Sequence, residues 1–113
     1  MARAETKLDA TLGALADPTR RAILQRLAHG EARVTDLATP FDISLNSVSK
    51  HIRVLERARL VKRRRVGREH FLSRNSAPLD EAAAWIDALR NHWNARIDRL
   101  EKALAEADDE ETR

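Results

Sequence analysis

Apolar residues recur at helical spacing in four stretches within the first half of the chain, and turn-forming residues separate these stretches. The spacing predicts one helix that ends near Ala16, a second over residues 18–28, a short third over 34–39, and a fourth that follows Ser44. In the first helix the apolar stripe consists of Leu8, Leu12 and Leu15.

Capping signals mark both ends of the second helix. Asp17 can accept a hydrogen bond from an unpaired N–H of the first turn, and Pro18 has no N–H to lose at the first helical position. Gly30 tolerates the positive φ at which helices often end. Arg20 and Arg21 follow the cap and are expected on the solvated surface.

The fourth helix has the most one-sided pattern in the chain. Its apolar residues are spaced for a single buried stripe that consists of Leu45, Val48, Ile52 and Leu55. Its outer face has no acidic side chain and carries Asn46, Ser47, Ser49, Lys50, His51 and Arg53. Short polar groups can reach base edges and phosphates, and Lys or Arg can pair with guanine acceptors.

A short antiparallel hairpin is predicted after the fourth helix. Its strands are residues 61–66 and 69–73, and Gly67 supplies the positive φ that the two-residue turn needs. Basic residues crowd this hairpin, namely Lys62, Arg63, Arg64, Arg65 and Arg68. Such a cluster repels itself unless a polyanion or counterions offset the charge, so the hairpin is expected to lie along phosphates.

A long helix is predicted from Leu79 to about Ala107. Its apolar stripe is too large to be left without a partner, and its members are Ile86, Leu89, Trp93, Ile97, Leu100 and Leu104. Trp85 and Trp93 are expected to pack in an interface or core, with a small-molecule pocket between dimer helices as the alternative. Residues 106–113 are acidic and are expected to form a frayed, solvated tail.

The predicted order is four helices, a hairpin and a final helix (ααααββα). This mainly helical fold with a small hairpin is typical of the winged helix-turn-helix arrangement. The 113 residues fit one domain, residues 1–113, with no interdomain linker.

Composition removes several classes of protein. The chain has no cysteine, which excludes disulfides and thiolate metal ligands within it. No apolar run approaches the roughly 20 residues that cross a bilayer, and the first ten residues lack the apolar segment of a secretory signal. We therefore expect a soluble cytoplasmic protein with no membrane partner and no cofactor.

The net charge of +3 conceals two opposed segments. Residues 50–74 contain ten basic and two acidic residues, a net of +8, whereas residues 98–113 contain seven acidic and three basic residues, a net of −4. A concentrated positive segment on the fourth helix and hairpin indicates a polyanionic partner.

Three segments together resemble the ArsR/SmtB family of bacterial winged-helix repressors. They are ALADPTRRAIL, VSKHIRVLE and the RxxGRE pattern at residues 64–69, and the resemblance extends from Leu12 to Leu72. It implies a symmetric homodimer that binds an inverted-repeat operator in double-stranded DNA. It also implies that the first and last helices form the dimer interface, here through Leu8 and Leu12 together with the stripe of the last helix.

The metal-sensing function of that family does not carry over to this chain. Metal-sensing members have a Cys-Val-Cys motif at the start of the third helix, and Arg33 and Thr35 stand at the two ligand positions here. Arginine cannot ligate a metal. On the last helix, His92 has no ligand-type residue one turn away in either direction. We expect no metal site in the chain itself; oxygen or nitrogen ligands across a dimer stay open, and no inducer is indicated.

The sequence therefore predicts a dimeric DNA-binding transcriptional repressor. Its fourth helix would enter the major groove, and its hairpin, the wing, would contact the backbone. An interaction module or antirepressor that uses the long helix to bind a protein is the alternative, but it has no need for ten bases. Ser47 and His51 lie one helical turn apart, yet no acid lies within helical reach of His51, so we do not expect an enzyme.

Overall fold

A computed structural model describes the backbone of residues 3–111 and the side chains of residues 6–111. The elements, in chain order, are α1 (Arg3–Ala14), α2 (Pro18–Leu27), β1 (Ala32–Arg33), α3 (Val34–Ala38), α4 (Leu45–Arg57), β2 (Val61–Val66), β3 (Glu69–Arg74) and α5 (Ala77–Glu111). The predicted order is confirmed, with one added strand. Contacts group the chain into a unit that ends at Ala82 and a unit that begins at Ala83, and the expectation of a single domain stays a prediction.

The predicted start of α2 is confirmed in atomic detail. Asp17 is the N-cap, and its carboxylate accepts a hydrogen bond of 3.0 Å from the backbone N–H of Arg20. Pro18 occupies the first helical position. After the helix, Gly30 has a φ of +132°, a value that favours glycine, and its N–H donates to the carbonyl of Leu27.

The hairpin is part of a three-stranded antiparallel sheet with strand order β1-β3-β2. Gly67 adopts a φ of +62° in the turn, as predicted. The additional strand, β1, pairs Ala32 with Leu72 and Arg33 with Phe71. Two residues are too few to show a period-two pattern, so sequence periodicity had no means of finding this strand.

The core of the first unit lies between α2, α3, α4 and the sheet. Its largest fully buried side chains are Ile23, Leu37, Val48, Ile52, Leu55, Leu60 and Leu72. The predicted inner stripe of α4 is therefore correct at three positions and wrong at Leu45, which is 50% exposed. Leu45 is the first residue of α4, and because Cα–Cβ bonds tilt towards a helix N-terminus, its side chain projects past the end of the helix.

The side of α1 that faces the core is not the predicted stripe. Thr11 and Ala14 are buried, Leu15 packs partly against the core, and Leu12 is 36% exposed. The hydroxyl of Thr11 is satisfied within its own helix by the carbonyl of Lys7. This rotation leaves Leu12 on the outer side of α1.

The second unit consists of the long part of α5. The helix runs from Ala77 to Glu111, so residues 106–111 of the predicted frayed tail are helical instead. Residues 112–113 lie outside the described part of the chain. Every described residue after Ala82 is exposed, including the apolar stripe, whose members expose between 45% and 61% of their surface. No helix of the described residues is long and apolar enough to cross a membrane.

Candidate nucleic-acid interface

The outer face of α4 presents the polar residues that the sequence placed there. Asn46, Lys50 and Arg53 are exposed, whereas Ser47 and His51 are half-buried on one flank. Ser49 is also half-buried. The only acidic residue of the helix comes in its last turn, so the first three turns offer only neutral and positive groups to an approaching polyanion.

A serine pair closes the N-terminal end of α4. Ser44 is the N-cap, and its hydroxyl oxygen accepts from the backbone N–H of Ser47 at 3.1 Å. The same hydroxyl donates to the Ser47 hydroxyl at 3.0 Å. Ser47 therefore has a structural role in the cap, and its hydroxyl keeps one proton to donate outward.

The wing is less self-repelling than the run of arginines suggests, because two of them have internal partners. The Arg63 guanidinium lies 2.6 Å from the Glu56 carboxylate, and this contact raises the pKa of Arg63. Arg64 forms an ion pair with Glu31 and lies 5.1 Å above the ring of Phe71. The hydrogen bond from Arg64 lowers the pKa of Glu31, which keeps the pair ionised.

Other cations of the same surface keep their charge available. Arg65 donates only to the carbonyl of Gly67 within its own turn, at 2.9 Å. Within the described part of the chain, four basic side chains make neither a hydrogen bond nor an ion pair: Lys50 and Arg53 on α4, and Lys62 and Arg68 on the wing. The structure thus divides the basic segment into paired and unpaired members, a division that the sequence could not make.

Arg20 and Arg21 are not simple surface residues, which corrects the sequence-based expectation. Arg20 donates through Nε to the carbonyl of Ala14 at 2.7 Å and through a second nitrogen to that of Gly13 at 3.1 Å. Arg21 donates to the carbonyl of Leu15 at 2.7 Å. Both arginines therefore satisfy carbonyls that are left over at the end of α1.

His51 connects α4 to this same region. Its Nδ1 lies 3.4 Å from a guanidinium nitrogen of Arg20 and 3.7 Å from a carboxylate oxygen of Asp17. An acid thus stands near His51 after all, and the sequence pattern missed it because it belongs to α2. The pKa of Asp17 is lowered, chiefly by the hydrogen bond from the backbone N–H of Arg20.

This acid does not create a catalytic set. Ser47 bonds to Ser44, and it makes no hydrogen bond to His51. No group of three or more His, Asp or Glu side chains with the geometry to hold a metal occurs among the residues that the structure describes.

The position that the resemblance assigns to a metal ligand holds a charged bridge. The Arg33 guanidinium lies 3.0 Å from a carboxylate oxygen of Asp36 and 3.2 Å from one of Glu69. These two hydrogen bonds raise the pKa of Arg33 and the bond to Asp36 lowers the pKa of that carboxyl. The bridge joins the start of α3 to the wing strand β3.

Comparison with known proteins identifies this geometry. A family model described as a helix-turn-helix domain matches residues 15–64. The chain is 36% identical over 73 residues to the transcriptional repressor SdpR of Bacillus subtilis, which covers 65% of this chain and 81% of that protein. It is 47% identical over 60 residues to the transcriptional repressor SmtB homolog of Synechocystis, which covers 53% of this chain and 46% of that protein.

A solved structure agrees with these relatives. The crystal structure of an ArsR family transcriptional regulator superposes with a TM-score of 0.78 at 38% sequence identity, and covers 83% of this chain and 97% of that one. Both the fold and the sequence of that structure therefore match over most of the chain. The protein belongs to the ArsR/SmtB family of winged helix-turn-helix transcriptional regulators, a family without enzymatic activity.

Proposed function

We propose that the protein is a cytoplasmic homodimeric repressor that binds an inverted-repeat operator. In this proposal α4 enters the major groove and the wing follows the phosphate backbone. The observation that carries it is the set of four unpaired cations on α4 and the wing, because side chains without an internal partner can neutralise phosphates at no cost to the fold. The SdpR and SmtB homolog relatives, both named as repressors, support repression as the outcome.

The chemistry of the α4 face fits base recognition. Lys50 can donate to the guanine acceptors O6 and N7, and Asn46 can pair with adenine through its amide. Asn46 lies at the N-terminal end of the helix, the end that contacts base edges in helix-turn-helix complexes. Lys62 and Arg68 of the wing need only charge and reach, which suits phosphate contacts.

Dimerisation follows from the exposed stripe of α5. From Ile86 to Leu104 the stripe advances 18 residues, or about five turns of 3.6 residues, so it runs parallel to the helix axis for roughly 27 Å. An apolar surface of this length is rare on a monomer and suits a second, equally straight helix. A second copy of this chain provides one, and a two-fold dimer would place its α4 helices about one DNA turn, roughly 34 Å, apart. Leu8 and Leu12 of α1 would extend the interface.

The regulator is proposed to act without thiolate metal sensing. The chain has no cysteine, and Arg33 is held by two carboxylates at the position where a ligand would be needed. A guanidinium in that place repels a cation instead of binding it. The similarity to an SmtB homolog therefore supports the fold and DNA binding, and not a metal signal.

Selection of bound duplexes from a random DNA pool tests the proposal. The expected product is an inverted repeat, and fluorescence anisotropy should then give tighter binding to it than to shuffled DNA, with strong dependence on salt. A folded dimer that prefers no sequence at moderate salt would contradict the proposal. A monomer that binds a protein partner through α5 would instead favour the interaction-module alternative.

A further inference from the structure

The imidazole of His51 lies against a group that can only donate hydrogen bonds. Nδ1 of His51 is 3.4 Å from a terminal nitrogen of Arg20, and every nitrogen of a guanidinium carries hydrogen and no acceptor lone pair. For this contact to be a hydrogen bond, Nδ1 must be the acceptor. In the neutral ring the proton then resides on the other nitrogen, Nε2.

The second nitrogen of the ring is free to act on a ligand. Nε2 of His51 forms no hydrogen bond with any residue of the described chain, and it is absent from the buried polar atoms that lack a partner. It therefore reaches solvent as an N–H donor. This donor lies on the flank of α4, beside the polar face that the proposed function assigns to DNA.

Arg20 is itself held in place by the fold. Its Nε and its other terminal nitrogen donate to the carbonyls of Ala14 and Gly13, so the remaining nitrogen is directed at His51 by two anchoring bonds. Its backbone N–H is bound by the Asp17 carboxylate. A guanidinium fixed at three points presents its fourth contact with little freedom.

We propose that Arg20 is a positioning residue that holds His51 with its Nε2–H directed outward, as a hydrogen-bond donor to a DNA phosphate oxygen. This inference rests on the proposed function of DNA binding. A phosphate is the acceptor because His51 lies on the half-buried flank of α4, whereas Asn46, Lys50 and Arg53 occupy the exposed centre that would face the bases.

Asp17 supplies the competing arrangement. Its carboxylate oxygen is 3.7 Å from the same Nδ1, beyond hydrogen-bond distance, and already accepts from the backbone N–H of Arg20. If the Arg20 side chain were removed, Nδ1 could carry the proton and donate to Asp17. Nε2 would then become an acceptor and would repel a phosphate oxygen.

The tautomer can be measured directly in the free protein. Nitrogen NMR on histidine-labelled protein, with the His51 signals assigned from their loss in His51→Gln, should show the neutral ring protonated at Nε2. Arg20→Gln should shift the ring towards the Nδ1-protonated form. Arg21→Gln is the matched control, since Arg21 also caps α1 but does not touch His51. A wild-type ring protonated at Nδ1, or equal effects of both variants, would overturn the inference.

The DNA arm uses two amides that each mimic one ring nitrogen. The amide of Gln can place an N–H near Nε2, whereas the amide of Asn reaches only as far as Nδ1. His51→Gln should retain operator affinity within about twofold, and His51→Asn should lose about fivefold to tenfold, as expected for one hydrogen bond to a charged group. Equal losses in both variants would contradict the proposed donor.

The acceptor is identified by replacing single phosphates of the selected duplex with uncharged methylphosphonates. One position should weaken the wild type but leave His51→Ala unaffected; coupling to a base substitution instead would overturn the phosphate assignment. If the wild type binds no specific DNA, the proposed function fails while the NMR result stands. If it binds and the two amide variants behave alike, only the inference about His51 fails.

Discussion

The guanidinium of Arg63 and the carboxylate of Glu56 meet in two hydrogen bonds of 2.6 and 3.3 Å, which tie strand β2 of the wing to the last turn of α4. Each side chain is only about 30% exposed, so water screens this ion pair less than a fully exposed one. The wing and the recognition helix thus have a fixed connection before any DNA is bound.

Removing this connection should cost stability. Glu56→Gln keeps the size of the side chain and removes its charge, and we expect a loss of about 0.5–1 kcal/mol in the free energy of unfolding by urea. Asp87→Asn is the matched control, because Asp87 pairs with Arg90 on a fully exposed surface of α5 and should change stability by far less. Similar losses for both variants would show that burial of the Arg63 pair is immaterial.

The cap at Asp17 should give a pH-dependent contribution to stability. Its folded-state pKa is lowered, so its charge stabilises the fold above the unfolded pKa of about 3.9, and this stabilisation is lost as pH falls through the folded value. Asp17→Ala should cost about 1 kcal/mol near pH 7. Asp17→Ser, which can still cap, should cost less at pH 7 and should approach the wild type near pH 3. Unfolding titrations that show a constant gap between wild type and Asp17→Ser from pH 7 to pH 3 would refute the charge contribution.

Lys50 should matter for sequence and not only for charge. Lys50→Ala should reduce affinity for the selected operator by roughly 5- to 100-fold, the range expected for a lost contact to a base. Shuffled DNA should lose much less, and anisotropy titrations on both duplexes measure the difference. Equal losses on both duplexes would argue that Lys50 contacts phosphate.

The wing should distinguish free from paired arginines. Arg68→Ala should weaken binding to every duplex alike and reduce the slope of log affinity against log salt by about 0.9, the value for one phosphate contact. Arg64→Ala should leave the slope nearly unchanged, because Glu31 and Phe71 already hold that guanidinium. A larger slope change for Arg64→Ala than for Arg68→Ala would show that Arg64 leaves its partners on binding.

The α5 stripe should control the oligomeric state. Leu100→Glu introduces a charge in the middle of the stripe and should convert the proposed dimer to monomer in sedimentation velocity, with loss of operator binding. Ala95→Glu is the control, since Ala95 lies on the opposite side of the same helix about 200° from the stripe. A dimer that survives Leu100→Glu would remove α5 from the interface.

Sequence patterns located most of the fold because α2, α4 and the hairpin carry local signals. Asp17 and Ser44 act as caps and Gly67 forms the turn, and each depends on neighbours within a few residues. The errors share another cause. The exposure of Leu45 at a helix end and the pairing of β1 with β3 depend on which element lies opposite, and spacing along the chain does not specify that.

The candidate site was predictable in composition but not in connection. The polar face of α4 and the basic wing follow from residue types alone. The contacts of Arg20 and His51 join residues 31 positions apart, and the pair of Arg64 with Glu31 spans 33 positions. Only the fold reveals which cations are already bound to acids.

The strand order β1-β3-β2 has a consequence beyond DNA. It leaves β2 as an edge strand whose outer backbone groups are unpaired within the described sheet, and such edges can pair with a second chain and aggregate. The lysine and three arginines of β2 discourage that pairing, because two copies of the strand would bring like charges together. The wing charges therefore protect the solubility of the free protein, so neutralising all of them at once would remove DNA affinity and create a self-associating edge in the same step.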